Sequence, residues 1–72
     1  MKLQDFRDKG PLTQTRHAKP DIKLYIWKQG PAMWRYVVDQ DGDAATVGET
    51  YKTKMEAFCD LGRIAESWGF TS

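Results

Sequence analysis

Cysteine and histidine occur once each in the 72 residues, and proline three times. A lone Cys59 closes no intramolecular disulfide, and with His17 as the single imidazole there is no cluster at zinc-ligand spacing. No stretch approaches the roughly 20 apolar residues that a membrane-spanning helix needs. The opening Met1-Lys2-Leu3-Gln4-Asp5-Phe6 lacks the apolar run of a secretory signal. A soluble, cytoplasmic protein is therefore expected, and an unpaired thiol suits a reducing compartment. Large net charge is also missing: the formal balance is +1.

A chain of this length holds one domain and buries only roughly 60% of the surface it exposes when unfolded. Small domains usually add a disulfide, a metal or a partner chain. With the first two lacking, association with another chain is the expected supplement. The charge is unevenly spread. Residues 1–20 carry Lys2, Arg7, Lys9, Arg16 and Lys19 against Asp5 and Asp8, whereas residues 21–72 carry six basic side chains against eight acidic ones. Nucleic-acid binders present a basic face on the folded body, because phosphate neutralisation supplies most of their affinity. Here the body is slightly acidic and the basic surplus lies in the first 20 residues.

Those residues show neither helical nor strand periodicity, and Gly10-Pro11 and Pro20 punctuate them. They read as a flexible basic arm. Ile22 to Lys28 alternates Ile22, Leu24 and Ile26 with Lys23, Tyr25 and Trp27, the pattern of a strand. Gln29-Gly30-Pro31-Ala32 is a turn, Met33 to Asp39 a second strand, and Asp39 to Asp43 a hairpin turn. Residues 44–49 form a third, weaker strand. Thr53-Lys54-Met55-Glu56 is a capping box that opens a helix over 53–68. Phe58, Leu61, Ile64, Ala65 and Trp68 recur along it as one apolar stripe, and Gly69 stands where a left-handed residue would end it. Gly62 inside the helix costs about 1 kcal/mol against alanine, and such a glycine often admits a close backbone neighbour. The expected fold is α+β: a three-stranded antiparallel sheet followed by one C-terminal helix, over residues 21–72, paired with a second chain.

Catalytic and metal-binding patterns are weak. Asp39, Asp41 and Asp43 alternate around Gly42 like the start of a calcium loop, but the further ligands and the closing glutamate do not follow, and a hairpin explains them. Cys59 is expected to be an inert, partly buried thiol. Its only histidine, His17, lies far off in the arm, so no nucleophilic pair is expected. Glu49, Glu56, Asp60 and Glu66 read as cap, dipole complement and solvated face. No glycine-rich phosphate cradle is present, and no cofactor and no enzyme activity are expected.

The feature that points to function is a surplus of large apolar side chains. Ile22, Leu24 and Ile26 lie on one side of their strand, Tyr25 and Trp27 on the other; Met33 and Val37 oppose Trp34, Tyr36 and Val38. One helix covers one face only. The other face is expected to be exposed and so to mark an interface. Tyr25, Trp27, Trp34, Tyr36 and Arg35 are the candidate partner-binding residues. The occupant could be a second copy, a different protein, or single-stranded nucleic acid stacked on the aromatics. Alternatively, the N-terminal arm folds back over the face with Leu3, Phe6 and Leu12.

Tyr25-Ile26-Trp27-Lys28, Trp34-Arg35-Tyr36-Val37-Val38, the Asp41-Gly42 turn and Gly48-Glu49-Thr50-Tyr51-Lys52-Thr53-Lys54-Met55-Glu56-Ala57 together resemble the YegP-like family of short bacterial and phage-associated proteins. The resemblance spans roughly residues 22–66. It implies a βββα repeat that pairs as a homodimer when present once, and it leaves the biochemical role open. Asp41-Gly42 departs from the commoner asparagine-glycine turn, and the arm is extra. A second resemblance is to the arm-type DNA-binding domain of tyrosine recombinases, which lays a three-stranded sheet in the major groove. That reading rests on Arg16, Lys19, Lys23, Lys28 and Arg35. The expected function is a small non-enzymatic protein-interaction module, self-associating or binding a host protein, in the manner of a phage or prophage accessory protein; nucleic-acid binding is the alternative.

Overall fold

The computed structural model describes residues 1–18 and 21–69. Helix α1 (Leu3–Lys9) leads into a meander of four antiparallel strands, β1 (Leu12–Ala18), β2 (Ile22–Gly30), β3 (Met33–Gln40) and β4 (Asp43–Tyr51), and helices α2 (Lys54–Cys59) and α3 (Leu61–Ser67) close the chain. The α+β class and the antiparallel sheet agree with the sequence reading. The counts do not: the described residues hold four strands rather than three, and three helices rather than one.

The segment expected to be a flexible arm supplies α1 and β1. Lys19 and Pro20, at its end, lie outside the described residues, as do residues 70–72. The Lys2 amide donates to the Asp5 carboxylate at 3.1 Å and so starts the helix. Gly10 ends it, its N–H donating to the Phe6 carbonyl at 3.1 Å. The chain passes so close to β2 there that a Cβ on Gly10 would strike the Lys28 carbonyl. Pro11 then accepts a bond from the Lys28 amide at 3.0 Å. The β1 register against β2 shifts between Gln14 and Ala18, and the buried Thr15 hydroxyl donates to the Leu24 carbonyl at 3.0 Å beside the shift.

Both hairpin turns use left-handed residues outside glycine, Ala32 (φ 54°) and Asp41 (φ 52°), with Gly42 at φ 86° completing the second. Two consecutive positive φ values match the twist of the flanking strands. Gly48 (φ 74°) sits in a bulge of β4, where the pairing jumps from Tyr36↔Val47 to Trp34↔Tyr51.

The expected strand alternation holds, and it divides the core in two. On one face Leu24, Ile26, Tyr36, Val38 and Tyr51 meet Ala57, Leu61, Ile64 and Ala65 of α2 and α3, with Ile22, Trp34 and Val47 at the margin. On the other face Tyr25, Trp27, Val37 and Ala44 pack under Phe6 of α1, with Leu3 and Leu12 beside them. The exposed aromatic face inferred from the sequence is therefore not exposed. The fold-back alternative applies, with the same Leu3, Phe6 and Leu12. Phe6 meets Trp27 edge-on at 5.0 Å, and the Trp27 indole N–H donates to the Phe6 carbonyl at 3.0 Å. A ring contact and a buried hydrogen bond thus hold a seven-residue helix that would not persist alone.

The C-terminal helix starts on Thr53, whose hydroxyl accepts the Glu56 amide at 3.1 Å. The Glu56 carboxylate reaches Lys52 N–H at 3.2 Å, one residue before the cap amide that a capping box uses. Gly69 has the expected left-handed φ of 77°. The inward stripe is Ala57, Leu61, Ile64 and Ala65. Phe58 and Trp68, expected in that stripe, are 39% and 38% exposed at its flanks.

Candidate interaction surface

The five candidate partner-binding residues are split between the two faces. Tyr25 and Trp27 are buried under α1, and Tyr36 is fully buried under α2, its hydroxyl donating to the Ala57 carbonyl. Replacing Tyr36 would thus test folding rather than association. Trp34 is half-buried at the end of the sheet with the Lys28 ammonium 5.6 Å from its ring centroid. Arg35 is half-buried on the α1 face, across from Trp27 in the β2–β3 register. Of the basic residues in the nucleic-acid reading, Lys23 shares that α1 face with Arg35, while Lys28 lies over Trp34 on the opposite side. Nothing is described of the Arg16 side chain, and Lys19 lies outside the described residues. The described cations do not form one basic face, and α1 occupies the face that would have to enter a groove.

What stays exposed lies elsewhere. Met55 is 72% exposed, and beside it on the outer side of α2 stand Phe58 and Cys59, which is exposed rather than partly buried as expected. Gly62 follows on α3, and a Cβ there would meet nothing within 4 Å. The expected close backbone neighbour is thus missing within the chain. Met55, Phe58 and Cys59 fall at i, i+3 and i+4 on α2, and past the break at Asp60 the exposed Gly62 follows in the first turn of α3, so that an exposed strip runs along both short helices. The Lys54 ammonium lies 5.8 Å from the Phe58 ring centroid and flanks the stripe. Met33 adds a 40% exposed side chain at the β2–β3 turn. No family model, curated protein or solved structure matches the chain. The surface therefore has to be read from its own chemistry.

Behind the stripe, at the junction of α2 and α3, four polar side chains lock the helices to the sheet. Arg63 grips the Asp60 carboxylate with two donors, Nε at 2.9 Å and a terminal nitrogen at 2.6 Å, and approaches Glu49 at 3.8 Å. The Tyr51 hydroxyl donates to the same carboxylate, and the Tyr36 and Tyr51 rings meet edge-on at 5.7 Å. Hydrogen bonding from Arg63, then from Tyr51, holds the Asp60 carboxyl down at about 2. Burial, then the bond to Asp60, pushes the Tyr51 phenol up to about 12, and burial raises Tyr36 further.

Asp60 has a lowered pKa in the fold, so it stabilises the protein where it is ionised. That contribution is complete above the ordinary value of 3.8 and lost as the pH falls through about 2. The urea midpoint of the protein should therefore drop between about pH 4 and pH 2, and Asp60→Asn should flatten that drop. Equal pH dependence in the two proteins would show that the carboxylate carries no such linkage.

Among the described residues no three His, Cys, Asp or Glu side chains gather as metal ligands, and no helix is long and apolar enough to cross a membrane. Asp39, Asp41 and Asp43 lie along the β3–β4 hairpin. The sequence missed Met55 as a surface residue and placed Phe58 in the core stripe. The available signal was the competing stripe through Ala57, Leu61 and Ile64, which places Phe58 at its edge.

Proposed function

We propose that the chain is a non-enzymatic interaction module that pairs with a second copy of itself through the outward stripe of α2 and α3. The observation that carries this reading is the exposure of Met55 and Phe58 beside an open Gly62, after both sheet faces have been covered. Exposed clusters of this kind mark contact surfaces.

The stripe favours a second copy because it complements itself. Phe58 and Gly62 lie two residues either side of Asp60, and Lys54 and Glu66 lie six residues either side. An antiparallel partner helix related by a two-fold axis near Asp60 sets each Phe58 over the other chain's Gly62. The same arrangement brings each Lys54 toward the other chain's Glu66. A contact confined to one side of two short helices, of six and seven residues, is small beside the roughly 800 Å² per partner of standard interfaces. A weak dimer follows, with a dissociation constant on the order of 10 μM or above.

Gly62→Arg tests this without harming the fold, since the site is open and arginine is a better helix former by roughly 0.8 kcal/mol. Sedimentation velocity should show the parent rising toward twice the monomer mass as concentration increases. The variant should stay monomeric and melt no lower than the parent. A parent that is monomeric throughout, or a variant that dimerises as well as the parent, rejects this surface.

A further inference from the structure

We infer that the groove between α1 and the sheet binds a small organic carboxylate with an apolar body, and that Arg35 is its anchor. The groove has a volume of about 370 Å³, and Phe6, Lys9, Trp27, Gln29, Arg35 and Thr46 are among the residues lining it. That volume lies within the range of small-molecule sites.

Three observations define the ligand. First, Arg35 Nε is buried and has no hydrogen-bond partner among the described residues. Buried polar groups are nearly always paired, so a guanidinium N–H left orphaned at the wall of a groove points to an acceptor that enters from outside. The nearest acidic side chain along the same face of the strand is Asp39, four residues on and roughly 13 Å away along the backbone; its Oδ1 is buried without a hydrogen-bond partner as well, so the two side chains do not satisfy each other. Second, the other ionised side chain in the lining is Lys9, and no carboxylate side chain lines the groove. Two cations without a counter-charge favour an anion, and the planar guanidinium fork matches a carboxylate with two parallel bonds. Third, the walls are aromatic. The Trp27 indole N–H is already committed to the Phe6 carbonyl, so both rings present carbon rather than donors. The Gln29 amide and Thr46 hydroxyl at the rim can bond a neutral polar group. Apolar walls with a cationic base select a carboxylate carried on a ring or aliphatic chain over a fully hydrated inorganic anion.

The test follows the Arg35 Nε–H cross-peak by ¹⁵N NMR while sodium benzoate is added, with sodium phosphate and sodium chloride at matched ionic strength as the other arms. Benzoate should give a saturable shift at Arg35 Nε–H and at the Trp27 indole, with a dissociation constant of about 1 mM, as expected for a fragment-sized ligand. Chloride should give no saturable shift, and phosphate one at least several-fold weaker. Arg35→Gln should weaken benzoate binding at least ten-fold, and Arg35→Lys should fall between, since it keeps the charge and loses the fork. Lys9→Gln, on the exposed side of α1, should weaken it several-fold with the Trp27 indole signal in place, which guards against a fold defect at Arg35. No saturable benzoate shift, equal binding in Arg35→Gln and the parent, or a chloride response equal to benzoate overturns the site. Tighter phosphate than benzoate overturns the apolar-body assignment.

Discussion

Phe6→Ala should remove about 3 kcal/mol of stability, a large part of what a domain of this size possesses. Phe6 is 4% exposed and is the one buried residue of α1, so its ring carries the packing of the helix against Tyr25, Trp27, Val37 and Ala44. Truncation leaves a cavity over Trp27 and removes the edge-on ring contact. It also weakens the restraint that keeps the Phe6 carbonyl in reach of the indole N–H. A helix of seven residues has too few internal hydrogen bonds to survive undocking. Chemical denaturation should show the lowered midpoint, and the indole of Trp27 should become solvent-accessible at denaturant concentrations where the rest of the sheet persists. A midpoint within about 0.5 kcal/mol of the parent would mean that α1 is a bystander on the surface.

Gly48→Val should be comparably damaging, at about 3 kcal/mol, for two reasons. The backbone at Gly48 has φ 74°, a conformation that a β-branched side chain resists by roughly 1–3 kcal/mol. A Cβ there would also sit 3.0 Å from Ile64 Cδ1, so the extra methyls would press into the contact between the β4 bulge and α3. Gly48→Ala carries the backbone cost with one carbon in place of three. The difference between the two variants therefore combines the β-branch at this φ with the packing of α3 on the bulge, and Gly48→Val should be the less stable on both counts. If Gly48→Val and Gly48→Ala unfold at the same denaturant concentration, Ile64 does not press on this position.

The central strands and the C-terminal helix were legible because their signals are local and repeated. Leu24, Tyr25, Ile26 and Trp27 alternate as a two-sided strand must, Asp41-Gly42 is a primed-turn pair, and Thr53 with Glu56 announces a helix start. The first 18 residues were not legible as structure. Between Leu3 and Lys9 the apolar positions are Leu3 and Phe6, too few to define a period. Between Leu12 and His17 the sequence is polar, as an edge strand can afford to be. Both elements exist because the apolar side of β2 and β3 recruits them, and that is a tertiary effect without a local signature. Two apolar faces do need two covers, and Leu3, Phe6 and Leu12 of the same chain supply the second. The consequence for the candidate site is direct: Tyr25, Trp27 and Tyr36 are core residues, and the exposed large apolar groups among the described residues are Met1, Met33, Met55, Phe58 and Trp68.

Both faces of the sheet are sealed from within, so the proposed pairing through Met55, Phe58 and Gly62 is not what covers them. The groove at Arg35 lies on the opposite side of the sheet from that stripe, so the proposed ligand and the proposed partner would meet different surfaces.

The measurement that bears most directly on this account is hydrogen exchange at the Trp27 indole N–H in dilute, monomeric protein. That proton is bonded to the Phe6 carbonyl beneath α1, so it should exchange as slowly as the central sheet amides and at a rate independent of protein concentration. Exchange at the rate of a free indole, or protection that appears only as the chains associate, would mean that a single molecule does not close this face of its own sheet.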